Sequence, residues 1–246
     1  MSVLASLRAV PLLLALFFLI ALLYSSVGFG GGSSYTAVLA WQGESPEVIR
    51  LVSLTCNLVV VLIGGWASLR AGQVRARLLG PLLASSIPGV WLGAHWEISE
   101  RAFFLVLGLA LAVAGGLLLG RFAEREEKAR SPWLLLPLGL GLGFLAGLTG
   151  IGGGIYLVPV LHLLAVGRAR EVAAVGTWFI LVNSAVGLLA LAPEADWSRP
   201  GWFPLVVAVG GLVGARLLQG VFAPHLIRRW TGCLILVVAG RLLFFQ

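Results

Sequence analysis

Apolar residues fill this chain in long blocks, with polar residues gathered in short clusters between them. A helix that crosses a bilayer needs about 20 mainly apolar residues. Six blocks meet that need: roughly 48–69, 78–96, 102–120, 171–193, 201–222 and 227–245. Two more, roughly 9–41 and 132–166, are too long for one span and are interrupted by glycine. The interruptions read Val27-Gly28-Phe29-Gly30-Gly31-Gly32-Ser33-Ser34 and Leu148-Thr149-Gly150-Ile151-Gly152-Gly153-Gly154-Ile155. Each glycine weakens a helix by about 1 kcal/mol relative to alanine, so both places are expected to be turns or unwound backbone.

The interruptions anchor an internal duplication. Gly28-x-Gly30-Gly31-Gly32 recurs as Gly150-x-Gly152-Gly153-Gly154 at an offset of 122. The same offset, or 121, pairs Thr55 with Thr177, Gly89 with Gly211, Gly93-Ala94 with Gly214-Ala215, and His95 with Arg216. Self-similarity at a fixed period is the mark of a repeated architecture. The expected fold is an all-α polytopic membrane protein forming one transmembrane domain over residues 1–246. Two four-element repeats, 9–120 and 132–245, flank a charged cytoplasmic linker at 121–131. Each repeat is a glycine-broken hairpin helix followed by three transmembrane helices.

Loop charge chooses the direction of the repeats. If each broken stretch crosses once, the basic residues in loops and at the ends of the apolar runs divide nine to six. If each is a hairpin returning to its own side, they divide eleven to four, which obeys the positive-inside rule better. The four are Arg8, Arg50, Arg101 and Arg199. A hairpin plus three crossings is an odd unit, so the second repeat is expected to be inverted, a common plan of secondary transporters.

Composition agrees with a membrane protein. Hydrophobic residues make up 59% of the chain and charged ones 11%, against about 25% charged in soluble domains. The mean hydropathy is +1.02. The formal charge of +7 sits in short clusters between apolar runs, so it reads as loop charge and not as a nucleic-acid surface. Arg8 and the apolar run Ala9 to Leu23 imitate a signal peptide, but no small-x-small cleavage site closes the run, and it is read as part of the fold. Cys56 and Cys233 lack CxxC spacing and read as packing residues.

Bare backbone at membrane depth survives only against protein or a watery cavity, so two breaks predict an interior site. The helix N-terminus after each break carries unpaired N–H groups and partial positive charge, which suits an anion. Ser33 and Ser34 add hydroxyls on one side and Thr149 on the other. All ten Asp and Glu residues fall in loops or at span ends, which argues against an acidic coupling site. Thr55, Asn57, Thr177 and Asn183 lie within the following spans and either bond neighbouring helices or face the substrate. Arg216 is a site residue or a snorkelling one. His95 reads as an interfacial anchor, His162 as a packing residue, and the tryptophans near span ends as anchors.

The paired breaks resemble those of the sulfite exporter TauE/SafE family of membrane transporters. The likeness is strongest in Gly152-Gly153-Gly154-Ile155-Tyr156-Leu157-Val158-Pro159 and Ala174-Val175-Gly176-Thr177. It covers nearly the whole chain. It implies movement of sulfite, sulfonates or related anions across the bacterial plasma (inner) membrane by a multi-pass protein. It marks Gly28, Gly30, Gly31, Gly32, Gly150, Gly152, Gly153, Gly154 and Thr177 as motif positions. Ser33-Ser34-Tyr35-Thr36-Ala37 departs from the family's apolar-and-proline continuation, which leaves the cargo open. The partners called for are a small anionic substrate and the lipid bilayer, with a homo-oligomer left open; nucleic acid and cofactors are not called for. Three rivals stand beside a carrier: a channel, an assembly subunit, and an intramembrane enzyme using Ser33 or Ser34 with His95 or His162. The enzyme lacks any acid to orient the histidine.

Overall fold

The computed structural model describes residues 3–26, 30–120, 132–217 and 224–244. Gly28 and the 121–131 linker lie outside the described residues. Among the described residues every regular element is helical. The ten helices are α1 Val3–Ser26, α2 Gly32–Gln42, α3 Pro46–Arg70, α4 Ala76–Ala94, α5 Glu100–Leu119, α6 Pro132–Thr149, α7 Gly154–Leu163, α8 Ala169–Leu191, α9 Phe203–Leu217 and α10 Pro224–Phe244. The six simple blocks become α3, α4, α5, α8, α9 and α10. The two long stretches break at their glycines, into α1 with α2 and α6 with α7.

The breaks follow from backbone that only glycine adopts readily. Gly31, Gly150, Gly152 and Gly153 have φ of 91°, 76°, 82° and 80°, the left-handed region where a Cβ costs about 1–2 kcal/mol. Gly31 caps α2 and Gly153 caps α7. The amides of Ser34 and Tyr35 bond the Gly31 carbonyl, and those of Tyr156 and Leu157 bond the Gly153 carbonyl. The first helix resumes at Gly32, so Ser33 and Ser34 belong to the first turn of α2, not to the bare segment expected of them.

Small residues let the helices touch backbone to backbone and reveal their directions. A Cβ on Gly139, Gly143 or Gly147 of α6 would lie 2.4, 2.4 or 2.1 Å from the carbonyls of Leu82, Ser86 and Val90, so α6 and α4 run parallel. Gly210 and Gly214 of α9 meet the carbonyls of Phe18 and Leu22 in the same way, so α1 and α9 are also parallel. By contrast α3 and α8 are antiparallel, with Leu54 at Gly187 and Thr177 at Gly65. So are α5 and α10, with Leu243 at Gly108 and Leu236 at Gly115. In α7, Gly154 meets Ile180 and Val158 meets Gly176, which turns α7 back against α8.

The connections gather on two faces. On one, Arg50 at the start of α3 donates through Nη1 to the carbonyl of Ala94 at the end of α4, 3.1 Å away. On the other, Arg75 and Glu171 form an ion pair at 3.4 Å. The outer surface is apolar along its length, and eight of the nine tryptophans are exposed on it, Trp133 by 79% and Trp230 by 75%. A surface of that kind faces lipid, with indoles at the headgroups. Helices α3, α5 and α8 are each long and apolar enough to cross a bilayer. This is a membrane protein.

Candidate functional site

Asn57 lies at mid-length in α3, fully buried, and both glycine breaks come to its carboxamide. Its Oδ1 accepts from the Gly32 amide at 3.1 Å. Its Nδ2 donates to the Ile151 carbonyl and to Ser184 Oγ, each at 3.3 Å. One side chain thus ties the N-terminus of α2 to the bare segment before α7 and to α8. The space is tight. A Cβ on Gly30, Gly32 or Gly152 would lie 2.2, 2.6 or 2.4 Å from the Asn57 carboxamide, and on Gly32 also 2.6 Å from the Ile151 carbonyl. Where an interior cavity was expected between the breaks, the carboxamide fills the meeting place.

The sequence matches at that offset do not extend to this residue. Position 179, 122 residues after Asn57, is Phe179, whose ring would lie 2.9 Å from a Cβ on Gly153. Gly154 is held close by Ile180, 2.3 Å from its Cβ position. The polar chemistry at the breaks therefore comes from α3 and from Ser184, while α8 supplies apolar packing beside Gly153 and Gly154.

Other expected residues fall into three groups. Ser33, Ser34, Thr149 and Gly150 are buried at the breaks. Ser34 shares a 2.8 Å hydrogen bond with the Tyr24 hydroxyl, which ties α2 to α1. The threonines turn inward on their own helices: Thr55, Thr149 and Thr177 donate to the carbonyls of Leu51, Leu145 and Ala173, four residues back. Thr55 and Thr177, expected to bond neighbouring helices or face the substrate, each have that carbonyl within reach in their own preceding turn. Asn183 accepts from Ser86 Oγ at 2.9 Å and joins α8 to α4, away from the breaks. Arg216 is exposed in the last turn of α9, outside the cluster, as a snorkelling residue would be. His95 is exposed and its ring packs at a tilt on Trp91, centroids 4.8 Å apart, as an anchor's would.

Ser184, Tyr24 and Arg50 were not anticipated as site residues. Gly150 packs on the α-carbon of Arg50, which a Cβ would approach to 2.7 Å. A helical-wheel reading of α3 carries the signal for Arg50: positions 50, 53 and 57 make a polar line in an apolar helix. Away from the breaks, in the 192–202 connection, Asp196 accepts from the Ser198 hydroxyl and amide and pairs with Arg199. The Ser198 hydrogen bonds, with the Arg199 charge behind them, hold its carboxyl below the usual carboxylate range.

Residues 13–242 match the family described as Sulfite exporter TauE/SafE. The chain belongs to the TauE/SafE family. Curated relatives agree. A "Probable membrane transporter protein y4hK" of Sinorhizobium fredii is 34% identical over 239 residues, 93% of this chain and 96% of that one. A "Probable membrane transporter protein YjnA" of Bacillus subtilis is 25% identical, covering 88% of this chain and 92% of its own. A third probable membrane transporter, of Methanocaldococcus jannaschii, is 27% identical over 73% of this chain and 71% of its own. No solved structure matches the chain. Within this TauE/SafE chain the motif glycines resolve into distinct jobs: Gly31 and Gly153 cap helices, while Gly30, Gly32 and Gly152 admit Asn57.

Proposed function

We propose that this protein carries a small anion, sulfite, a sulfonate or a related sulfur oxoanion, across the bacterial plasma membrane at the meeting of its two glycine breaks. The observation that carries the reading is the Asn57 bridge. The N-terminus of α2 and the bare segment that leads into α7 meet at one carboxamide, and a helix N-terminus favours negative charge. The Asn57 oxygen rests on the Gly32 amide, where an oxygen of an oxoanion would bond equally well. Substrate takes that amide when the asparagine swings aside. The family description and the names of the relatives support transport as the class. The filled meeting place favours a carrier over an open channel, since no anion passes while Asn57 stands between the breaks.

The same reading takes the halves as inverted repeats. Helix boundaries support it: α2 through α5 begin at 32, 46, 76 and 100, and α7 through α10 at 154, 169, 203 and 224. Direction supports it too, since α3 opposes α8 and α5 opposes α10, and α1 on α9 repeats α6 on α4. Following those directions, Arg216 joins the eleven basic residues of one face and Arg241 the four of the other. The face holding the 71–75 and 164–168 connections is then cytoplasmic, and that holding the 43–45 and 95–99 connections is external.

Flux by purified protein in liposomes tests the function. Sulfite or a small sulfonate should cross, and Gly31→Leu and Gly153→Leu, which force side chains onto left-handed caps, should stop it. Undiminished flux in both variants, inserted and monodisperse, removes the breaks from the mechanism.

A further inference from the structure

We propose that Arg50 and Ser53 form an oxoanion-binding station on the external side of Asn57, so that the substrate has a polar approach from one face only. The inference rests on the transport reading above and extends it to the route.

Three observations carry it. Arg50, Ser53 and Asn57 lie three and four residues apart in α3 and share one face, since two helical turns separate the first from the last. The bare segment of the second break runs beside that face: Gly150 packs on Arg50, and the Ile151 carbonyl reaches Asn57. Along this track two buried donors stand without partners, the Arg50 Nε and the hydroxyl of the fully buried Ser53. A buried donor left unbonded is destabilising, and a structure keeps one where something else satisfies it.

The chemistry of the missing partner follows. A guanidinium with one nitrogen fixed on the Ala94 carbonyl and another unbonded suits a planar or pyramidal oxoanion, which accepts several hydrogen bonds at once. Glu47 and Glu194 stand near enough for Arg50 to feel their charge, and among the described residues neither forms an ion pair with it. The serine hydroxyl supplies the next donor toward Asn57.

The second half lacks the track. At an offset of 122, Arg50, Ser53 and Asn57 correspond to Val172, Val175 and Phe179, all fully buried in apolar packing. The cytoplasmic side of the breaks is therefore lined by hydrocarbon where the external side carries a cation and a hydroxyl. Binding from the two faces is expected to differ.

Accessibility labelling tests this without relying on the cargo. Ser53→Cys is placed in a background with Cys56→Ala and Cys233→Ser, in right-side-out vesicles. It is reacted with methanethiosulfonates bearing either a sulfonate or a trimethylammonium group. After correction for intrinsic reactivity, the sulfonate reagent should react at least about fivefold faster, as expected beside one focused positive charge. The preference should fall toward unity with Arg50→Gln and persist with Arg50→Lys. No modification, or a preference indifferent to Arg50→Gln, overturns the proposal. In sulfite flux, Arg50→Gln should raise the half-saturating concentration about tenfold from the external face and leave it unchanged from the other; equal change on both faces also overturns it. Should Ser53→Cys fail to insert, that flux asymmetry decides. Charge-selective labelling without sulfite flux sinks the cargo reading alone, and flux with charge-blind labelling sinks this station alone.

Discussion

The carboxamide oxygen of Asn57 lies 3.1 Å from the backbone nitrogen of Gly32, across 25 residues of chain, and that single contact seats the N-terminus of α2 on the middle of α3. The other end of the carboxamide holds the second break through the Ile151 carbonyl. Because the breaks belong to different halves of the chain, one side chain couples them: movement of either must pull on it.

Removing that side chain should be expensive. Asn57→Ala leaves the Gly32 amide and the Ile151 carbonyl buried without their partner, at about 1–3 kcal/mol each. Thermal unfolding in detergent should show a drop in midpoint larger than for Asn183→Ala, which frees only the Ser86 hydroxyl. Equal losses in the two variants would mean that the Asn57 bridge carries no special share of stability.

Glycine substitutions should sort by what a Cβ meets. Gly141→Ala lies in α6 with nothing within 4 Å and should be neutral or gain up to about 1 kcal/mol of helix stability. Gly43→Ala has open space but a φ of 77°, so it should lose about 1–2 kcal/mol. Gly152→Ala combines a φ of 82° with a Cβ 2.4 Å from Asn57 Nδ2 and should be worst. Gly147→Ala tests packing alone, since its Cβ would press to 2.1 Å on the Val90 carbonyl in a regular helix. A flat ranking of unfolding midpoints among the four would contradict the backbone geometry described.

Much of this was legible before the fold. Block lengths located the six simple helices to within about five residues, because lipid imposes one length on every span. The breaks were legible because consecutive glycines each weaken a regular helix and readily take the left-handed backbone seen there. What stayed hidden was side-chain traffic. Thr55 and Thr177 match across the halves, and each donates to a carbonyl of its own helix, a choice that residue type and spacing do not reveal. Asn57 was legible only as a polar residue in a span; its reach to Gly32 and Ile151 depends on how α3 packs between two breaks. Arg50 was counted with the loops because it begins a helix, and only Gly150 lying against it exposes its place beside the second break.

Helix directions predict labelling from opposite faces. The 71–75 and 192–202 connections should lie on the two sides of the membrane. Single cysteines at Gln73 and Ser198, in a chain otherwise without cysteine, should react with an impermeant maleimide from opposite faces of intact cells and inverted vesicles. A simple crossing by each broken stretch puts both on one face, so labelling from the same side removes the hairpins and the inversion together.

The sharpest separation of a structural asparagine from an anion site comes from Asn57→Asp. The carboxylate keeps an acceptor for the Gly32 amide and places a negative charge at the N-terminus of α2, an arrangement worth about 0.3–2 kcal/mol. It gives up the donor to Ile151 and Ser184, so its unfolding midpoint should fall between those of the unaltered protein and Asn57→Ala. The consequence for transport is different in kind. A fixed carboxylate occupies the place of the substrate and repels it, so flux at neutral pH should vanish although the fold is kept. Protonation removes the charge, so some flux should return as pH falls and disappear again as pH rises. An Asn57 with only a packing role gives the reverse pattern: flux follows stability, Asn57→Asp transports better than Asn57→Ala, and pH leaves their order unchanged. Normal flux through Asn57→Asp at neutral pH would place the anion elsewhere, since two negative charges cannot share one buried amide.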